Sequence, residues 1–119
     1  MTRVRGTPFK STLEHKVSLL LGEKWQYESH RIPYIMRRTY SPDFTKGKIH
    51  IEVKGVFRPG DISKYLAIKA SMHPKEELVF VFSNPNKKVR KGAKLSMGQW
   101  AEKNGFRWFG VNDLHKVRI

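Results

Sequence analysis

The sequence contains no cysteine, which excludes disulfide bonds and every cysteine-based zinc site. Acidic residues are also scarce, with 10 Asp and Glu against 24 Lys and Arg. No apolar run approaches the roughly 20 residues that a membrane-spanning helix needs. The N-terminus is basic but lacks the apolar segment of a secretory signal. We therefore expect a protein without membrane segments that works in a cytoplasm.

The charge balance predicts an anionic partner. A formal net charge of +14 attracts polyanions, either nucleic acid or an anionic membrane surface. Nucleic acid is favoured because the basic residues are spread over the chain rather than gathered on one helix. Charge alone leaves ribosomal and RNA-binding functions open.

The length of 119 residues predicts one folded domain (residues 11–119) preceded by a basic arm (residues 1–10). Hydrophobic periodicity predicts helices at residues 11–22, 61–72 and 96–104, and strands at residues 25–32, 42–45, 48–54, 78–82 and 107–109. The strand–helix–strand order over residues 48–82 requires parallel pairing, whereas the hairpin before it is antiparallel. The predicted fold class is α/β, with a mixed β-sheet flanked by helices.

The predicted hairpin carries two acidic residues at an informative spacing. If its turn is Lys46-Gly47, Asp43 pairs with His50 and lies diagonal to Glu52 on the same face. Diagonal neighbours are about 7–8 Å apart at the backbone. Two carboxylates reaching inward from that spacing can hold one divalent cation between them.

Alternation along the second hairpin strand separates its two faces. Glu52 and Lys54 share one face, and Ile49, Ile51 and Val53 are predicted to point the other way, into the core. Carboxylate oxygens suit Mg²⁺ or Mn²⁺, and a nearby lysine can orient water or stabilise developing phosphate charge. The Glu–Lys pair could equally be a solvated ion pair, but a metal-dependent nuclease explains it better within so basic a chain.

Glu14 allows two interpretations. It occupies the third position of a capping box that begins at Ser11, which suffices to explain it. Alternatively, it is a catalytic acid that projects from the first helix toward the metal. The residue pattern alone favours the cap.

These motifs resemble known patterns. Pro42-Asp43 followed by Glu52-Val53-Lys54 resembles the PD-(D/E)xK nuclease signature. A longer series occurs in the order Phe9-Lys10-Ser11-Thr12-Leu13-Glu14, Tyr27-Glu28, Ile32-Pro33-Tyr34, Thr39-Tyr40-Ser41-Pro42-Asp43-Phe44 and Glu52-Val53-Lys54-Gly55. This series resembles phage-type endonuclease I, the Holliday-junction resolvases of podophages.

The resemblance implies a restriction-endonuclease-like core in an intertwined homodimer. Such a dimer would make paired, Mg²⁺- or Mn²⁺-dependent cuts in branched DNA, specifically four-way junctions, in the cytoplasm of the host bacterial cell. By the resemblance, Asp43 and Glu52 bind metal and Lys54 is the active-site lysine. It also makes Glu14 catalytic and part of the metal site, contributed across the dimer. The Val53 carbonyl is a further candidate ligand.

The candidate phosphate-binding residues are basic: Arg3, Arg5, Lys10, Arg37, Arg38, Lys87, Lys88, Arg90, Lys91 and Lys94. Each could instead be a solvated surface charge. The strongest candidates are the last five, because five cations within eight residues repel one another unless an anion binds. Two other functions stay open: another PD-(D/E)xK endonuclease acting on mismatched or linear duplex DNA, and a non-catalytic nucleic-acid-binding module.

Overall fold

The chain divides into two compact units, Met1–Arg37 and Arg38–Ile119. The computed structural model describes residues 4–119, so the candidate DNA contact Arg3 lies outside the described residues. In that described part of the chain, no helix is both long and apolar enough to cross a membrane. The proposed boundary between an arm at residues 1–10 and the rest stays a prediction.

The first unit contains the helix predicted for it, α1 (Thr12–Leu21). Ser11 caps the helix, because its Oγ accepts a hydrogen bond from Glu14 N at 3.1 Å and donates one to Glu14 Oε1 at 2.9 Å. Gly22 ends it with a φ of +92°, which glycine adopts without steric cost. No residue of α1 is buried, so the helix keeps its apolar side chains exposed.

The predicted strand at residues 25–32 is wrong, since the segment has no regular secondary structure. Tyr27 turns instead toward the start of α1, where its hydroxyl donates to Glu14 Oε2 at 2.9 Å and its ring lies 4.6 Å from the Phe9 ring. Glu28 follows with a φ of +47°, which interrupts extended backbone. These side-chain contacts outweigh the strand propensity of the aromatic residues.

The second unit is a four-stranded sheet with helices packed on it. Its strands lie in the order β1 (Phe44–Lys46), β2 (Ile49–Lys54), β3 (Glu77–Phe82) and β4 (Arg107–Gly110). β1 is antiparallel to β2, and the other pairs are parallel. The connections are α2 (Asp61–Ser71) and α3 (Met97–Lys103), and an unpredicted 3-10 helix, Val111–Lys116, follows β4. The predicted α/β class with a mixed sheet flanked by helices is confirmed.

The hairpin turn lies one residue later than predicted. Thr45 pairs with His50, and the turn begins at Gly47 with a φ of +59°. Glycine at the first central position is typical of tight hairpin turns, because it accepts a positive φ. The predicted pairing of Asp43 with His50 is therefore wrong. The observed register, continued toward the start of the hairpin, sets Asp43 opposite Glu52, and the face they share is unchanged.

The core lies on the face of the sheet that carries Glu52, which is the opposite of the predicted side. Glu52 is aligned with Phe80 in the parallel register, and the two are 8% and 0% exposed. Tyr65 of α2 and Trp100 of α3 pack over this face. Val53, predicted to point into the core, is 46% exposed. Alternation separates the faces of β2 but does not show which one the helical aromatic residues cover.

Candidate active site

The site begins where Asp43 immediately precedes β1. Its Oδ2 accepts a hydrogen bond from the backbone N–H of Val53 at 2.8 Å. This bond holds the exposed Asp43 carboxylate against the peptide that joins Glu52 to Val53. Asp43 and Glu52, the predicted metal-binding pair, are thereby placed on adjacent parts of one hairpin.

Glu52 is buried, and both of its carboxylate oxygens are hydrogen-bonded. The Tyr40 hydroxyl donates to Oε1 at 2.6 Å, and the Tyr65 hydroxyl donates to Oε2 at 2.8 Å. Burial raises the pKa of both tyrosines, and the adjacent Glu52 carboxylate raises it further. Both hydroxyls therefore remain protonated donors at physiological pH.

Lys54 lies between two carboxylates. Its Nζ is 3.3 Å from Asp61 Oδ2 and 3.9 Å from Glu52 Oε2. The same Asp61 oxygen accepts a hydrogen bond from Arg58 N at 2.9 Å. Burial by itself raises the pKa of Asp61, but this bond and the charge of Lys54 outweigh it, so the pKa lies below its ordinary value of 3.8. Asp61 thus stays ionised and holds the lysine beside the site.

The oxygen donors at this position fit a small divalent cation. Mg²⁺ is commonly held by only one or two carboxylates, with water and substrate phosphate completing its coordination. Asp43, Glu52 and the Val53 carbonyl offer hard oxygen ligands next to one another on the hairpin. Among residues 4–119, no cluster of three or more His, Asp or Glu side chains is arranged to hold a metal by itself. The assignment of these three residues as ligands therefore stays a prediction.

Glu14 lies in the first unit, whereas the other predicted catalytic residues lie in the second. Its carboxylate accepts hydrogen bonds from Ser11 and from Tyr27, one on each oxygen. Ser11 caps α1 as predicted, but the box is not complete, because the Glu14 carboxylate binds the Ser11 hydroxyl and not its backbone N–H. These contacts fix the direction of the Glu14 carboxylate on the first turn of α1, and its catalytic role stays a prediction.

The predicted DNA-binding residues differ in their surroundings. All of those in the described part of the chain are exposed: Arg5, Lys10, Arg37, Arg38, Lys87, Lys88, Arg90, Lys91 and Lys94. Lys10 forms a 2.7 Å ion pair with Glu28. The Lys88 ammonium group donates a hydrogen bond to the Lys94 carbonyl at 2.8 Å. This bond braces the basic loop, residues 87–94, by joining its two ends. The loop is closed further by the buried Val89, whose N–H donates to the Leu95 carbonyl at 3.1 Å.

Three side chains around the site are not predicted to belong to it. Tyr40 lies three positions before Asp43 within the series Thr39–Phe44, so a signal for it exists in the sequence. Asp61 is predicted only as the start of a helix, and it is the first residue of α2, after Gly60. Tyr65 is predicted only as a residue of the same helix. Nothing in helical periodicity indicates that its hydroxyl reaches Glu52.

Comparisons with known proteins identify relatives of this chain among phage nucleases. The family model described as phage endonuclease I matches residues 1–112. The chain is 41% identical to Endodeoxyribonuclease 1 of Enterobacteria phage T3, over 85% of this chain and 70% of that protein. It is 37% identical to Endonuclease I of Escherichia phage T7, over 84% of this chain and 71% of that protein. The chain therefore belongs to the phage endonuclease I family.

Proposed function

We propose that this chain is a divalent-metal-dependent endodeoxyribonuclease that resolves four-way DNA junctions as a homodimer, in the cytoplasm of a host bacterial cell. The observation that carries the proposal is the hydrogen bond from Val53 N to Asp43 Oδ2, which holds a second carboxylate beside Glu52. The names of the phage T3 and T7 relatives, an endodeoxyribonuclease and an endonuclease, support the reaction class. The mixed sheet supports the restriction-endonuclease-like core that the family resemblance implies.

The residues of the site divide the work of phosphodiester hydrolysis. Asp43, Glu52 and the Val53 carbonyl would hold Mg²⁺ or Mn²⁺, which when bound neutralises phosphate charge and lowers the pKa of the attacking water. The Lys54 ammonium would donate a hydrogen bond to that water or to a phosphate oxygen whose charge grows in the transition state. Water adds to phosphorus, one P–O ester bond breaks, and a proton passes to the departing oxygen.

The charge of the whole chain supports DNA as the substrate. A net charge of +14 attracts the phosphate backbone, and the braced loop presents Lys87, Arg90 and Lys91 to solvent. Phosphate contacts of this kind carry no base-sequence information. Selection of a branch point would therefore come from the placement of the phosphates and not from base readout.

The exposed face of α1 supports the homodimer. Leu13 and Leu20 are 68% and 78% exposed, and none of the helix is buried. A helix with an uncovered apolar face gains little from folding alone, because most helical stability comes from packing that face. A second copy that covers α1 would also give Glu14 a route to the active site of its partner.

The test is cleavage of a labelled four-way junction beside its linear duplex arms, with Mg²⁺ and with a chelator. We expect paired cuts near the branch that require metal, are absent from the duplexes and are abolished in Glu52→Gln. Equal cutting of the duplexes, or a preference for mismatched duplexes, would replace the proposal with a different nuclease of the PD-(D/E)xK type. Tight binding without metal-dependent cutting would indicate a non-catalytic nucleic-acid-binding module.

A further inference from the structure

We infer that Tyr40 and Tyr65 are positioning residues, which form a hydrogen-bonded clamp that sets the affinity of Glu52 for the divalent cation. The inference rests on the proposed function and adds two residues to the machinery of that site. It is carried by the donation of one tyrosine hydroxyl to each oxygen of the buried Glu52 carboxylate.

The clamp joins three separate parts of the second unit. Tyr40 precedes Asp43 in the chain, Glu52 lies on β2, and Tyr65 lies on α2. The bond from Tyr40 to Glu52 and the bond from Val53 to Asp43 therefore link the same two segments at two points. With both bonds in place, the two carboxylates are held in fixed positions relative to one another.

The donors are chemically suited to a metal-binding carboxylate. A neutral hydroxyl satisfies one lone pair of each oxygen and leaves the negative charge of Glu52 available to a cation. An ammonium group in the same place would cancel that charge, and Lys54 is held farther from Glu52 than from Asp61. Groups that hydrogen-bond metal-ligating side chains typically change metal affinity or activity by about 10–100-fold when they are removed.

The packing of the two rings separates this role from a purely structural one. Tyr65 is fully buried, and its ring centroid lies 5.0 Å from that of Phe80. Its replacement by phenylalanine keeps the ring and removes only the hydroxyl, so the core retains its volume. Tyr34 offers a matched control, because it is 80% exposed and its hydroxyl forms no hydrogen bond with any residue in the described part of the chain.

The experiment compares full-length wild type with Tyr40→Phe, Tyr65→Phe and Tyr34→Phe. Calorimetry with Mn²⁺ gives the metal affinity without DNA, and junction cleavage gives the Mg²⁺ concentration for half-maximal rate. In each clamp variant we expect the Mn²⁺ affinity to fall, and the Mg²⁺ concentration for half-maximal rate to rise, by about 10–100-fold. Both quantities should stay at the wild-type value in Tyr34→Phe. Saturating Mg²⁺ should restore most of the cleavage rate, because the ligands themselves remain.

Thermal melting identifies any variant that does not fold. If Tyr65→Phe does not fold, Tyr40→Phe still tests the inference, because Tyr40 is only partly buried. Unchanged Mn²⁺ affinity in folded clamp variants, with only the melting temperature lowered, would overturn the inference while the nuclease proposal stands. Wild-type protein that neither binds Mn²⁺ nor cuts DNA would overturn the proposed function itself.

Discussion

At the scale of single residues, the site depends on carboxylates held by different kinds of donor. Glu52 is satisfied by neutral hydroxyls, whereas Asp61 is held by a backbone N–H and by the ammonium group of Lys54. A buried carboxylate without such partners would be strongly destabilising. In the proposed site, Glu52 is the carboxylate that would bind the cation, whereas Asp61 locates Lys54.

Replacing Asp61 by asparagine should show its contribution through pH. We expect Asp61→Asn to lower the free energy of unfolding by about 1 kcal/mol near neutral pH, because the charge-assisted bond to Lys54 is removed. The folded-state pKa of Asp61 is depressed, so this stabilisation is present above the unfolded value of about 3.8 and is lost as pH falls through the folded value. Urea unfolding of both proteins from pH 7 down to pH 3 measures the difference. A difference that persists unchanged at the lowest pH would contradict the assignment.

At the scale of secondary-structure elements, helix α3 packs closely against β4. Gly98 of α3 faces the Trp108 indole, and a Cβ placed on it would lie 3.0 Å from Trp108 Cη2. The amide of Gly98 also donates to the Pro85 carbonyl at 3.0 Å, so the helix start has little freedom to withdraw. The glycine thus sets how near the helix lies to the strand.

Gly98→Ala tests this packing. Alanine gains up to about 1 kcal/mol in helix propensity, but overpacking of a filled core typically costs about 1–3 kcal/mol. We expect a net decrease of about 1 kcal/mol in the free energy of unfolding, measured by urea denaturation. The double variant Gly98→Ala/Trp108→Phe has a smaller ring and should recover the part of the decrease that the clash causes. A more stable Gly98→Ala protein would show that the indole moves aside freely.

The elements differ in how far their sequences predict them. α1, α3 and β3 are predicted nearly to the residue, because helix caps and an unbroken apolar run are local signals. Residues 25–32 are mispredicted because Tyr27 bonds to Glu14, an interaction that strand propensity does not report. The 3-10 helix after β4 carries no strong periodicity and is not predicted.

In the candidate active site too, local sequence patterns are predictable and tertiary contacts are not. The chemical types of Asp43, Glu52 and Lys54, and the face that they share, are predictable from spacing. The register of the hairpin is not, because it depends on which residue of the turn adopts a positive φ. Tyr65 reaches Glu52 only through the tertiary packing of α2 on the sheet, and no local sequence pattern reports that packing.

At the scale of the whole molecule, binding to DNA should depend steeply on salt. On the cleavage-deficient Glu52→Gln background, replacing Lys87 and Lys91 by alanine should reduce the slope of log affinity against log salt concentration by about 0.9 for each phosphate that is no longer neutralised. Lys116→Ala is the control, because Lys116 lies outside the loop. Its Nζ is 3.8 Å from Asp113 Oδ1. Fluorescence anisotropy with a labelled junction gives the slopes. An unchanged slope in the double variant would remove this loop from the interface.

The homodimer can be tested by complementation between inactive chains. Co-expressed Glu14→Gln and Glu52→Gln chains should regain about a quarter of the wild-type active sites if pairing is random and Glu14 acts in the partner's site. The mixed dimers should nick one strand, because each contains one complete site. Each variant alone should be inactive. Recovery would fail if Glu14 served the site of its own chain.

The hydrogen bonds and the ion pair that organise the site in the second unit connect residues that are close to one another in the sequence. They join residues separated by 12, 10, 7 and 13 positions, all between Tyr40 and Tyr65. Loops of about ten residues close in roughly 10–100 ns, and local contacts of this kind favour rapid folding. We therefore expect the geometry of this site to arise early in folding, before β4 is recruited, so that substitutions between Tyr40 and Tyr65 change the folding rate as well as the chemistry.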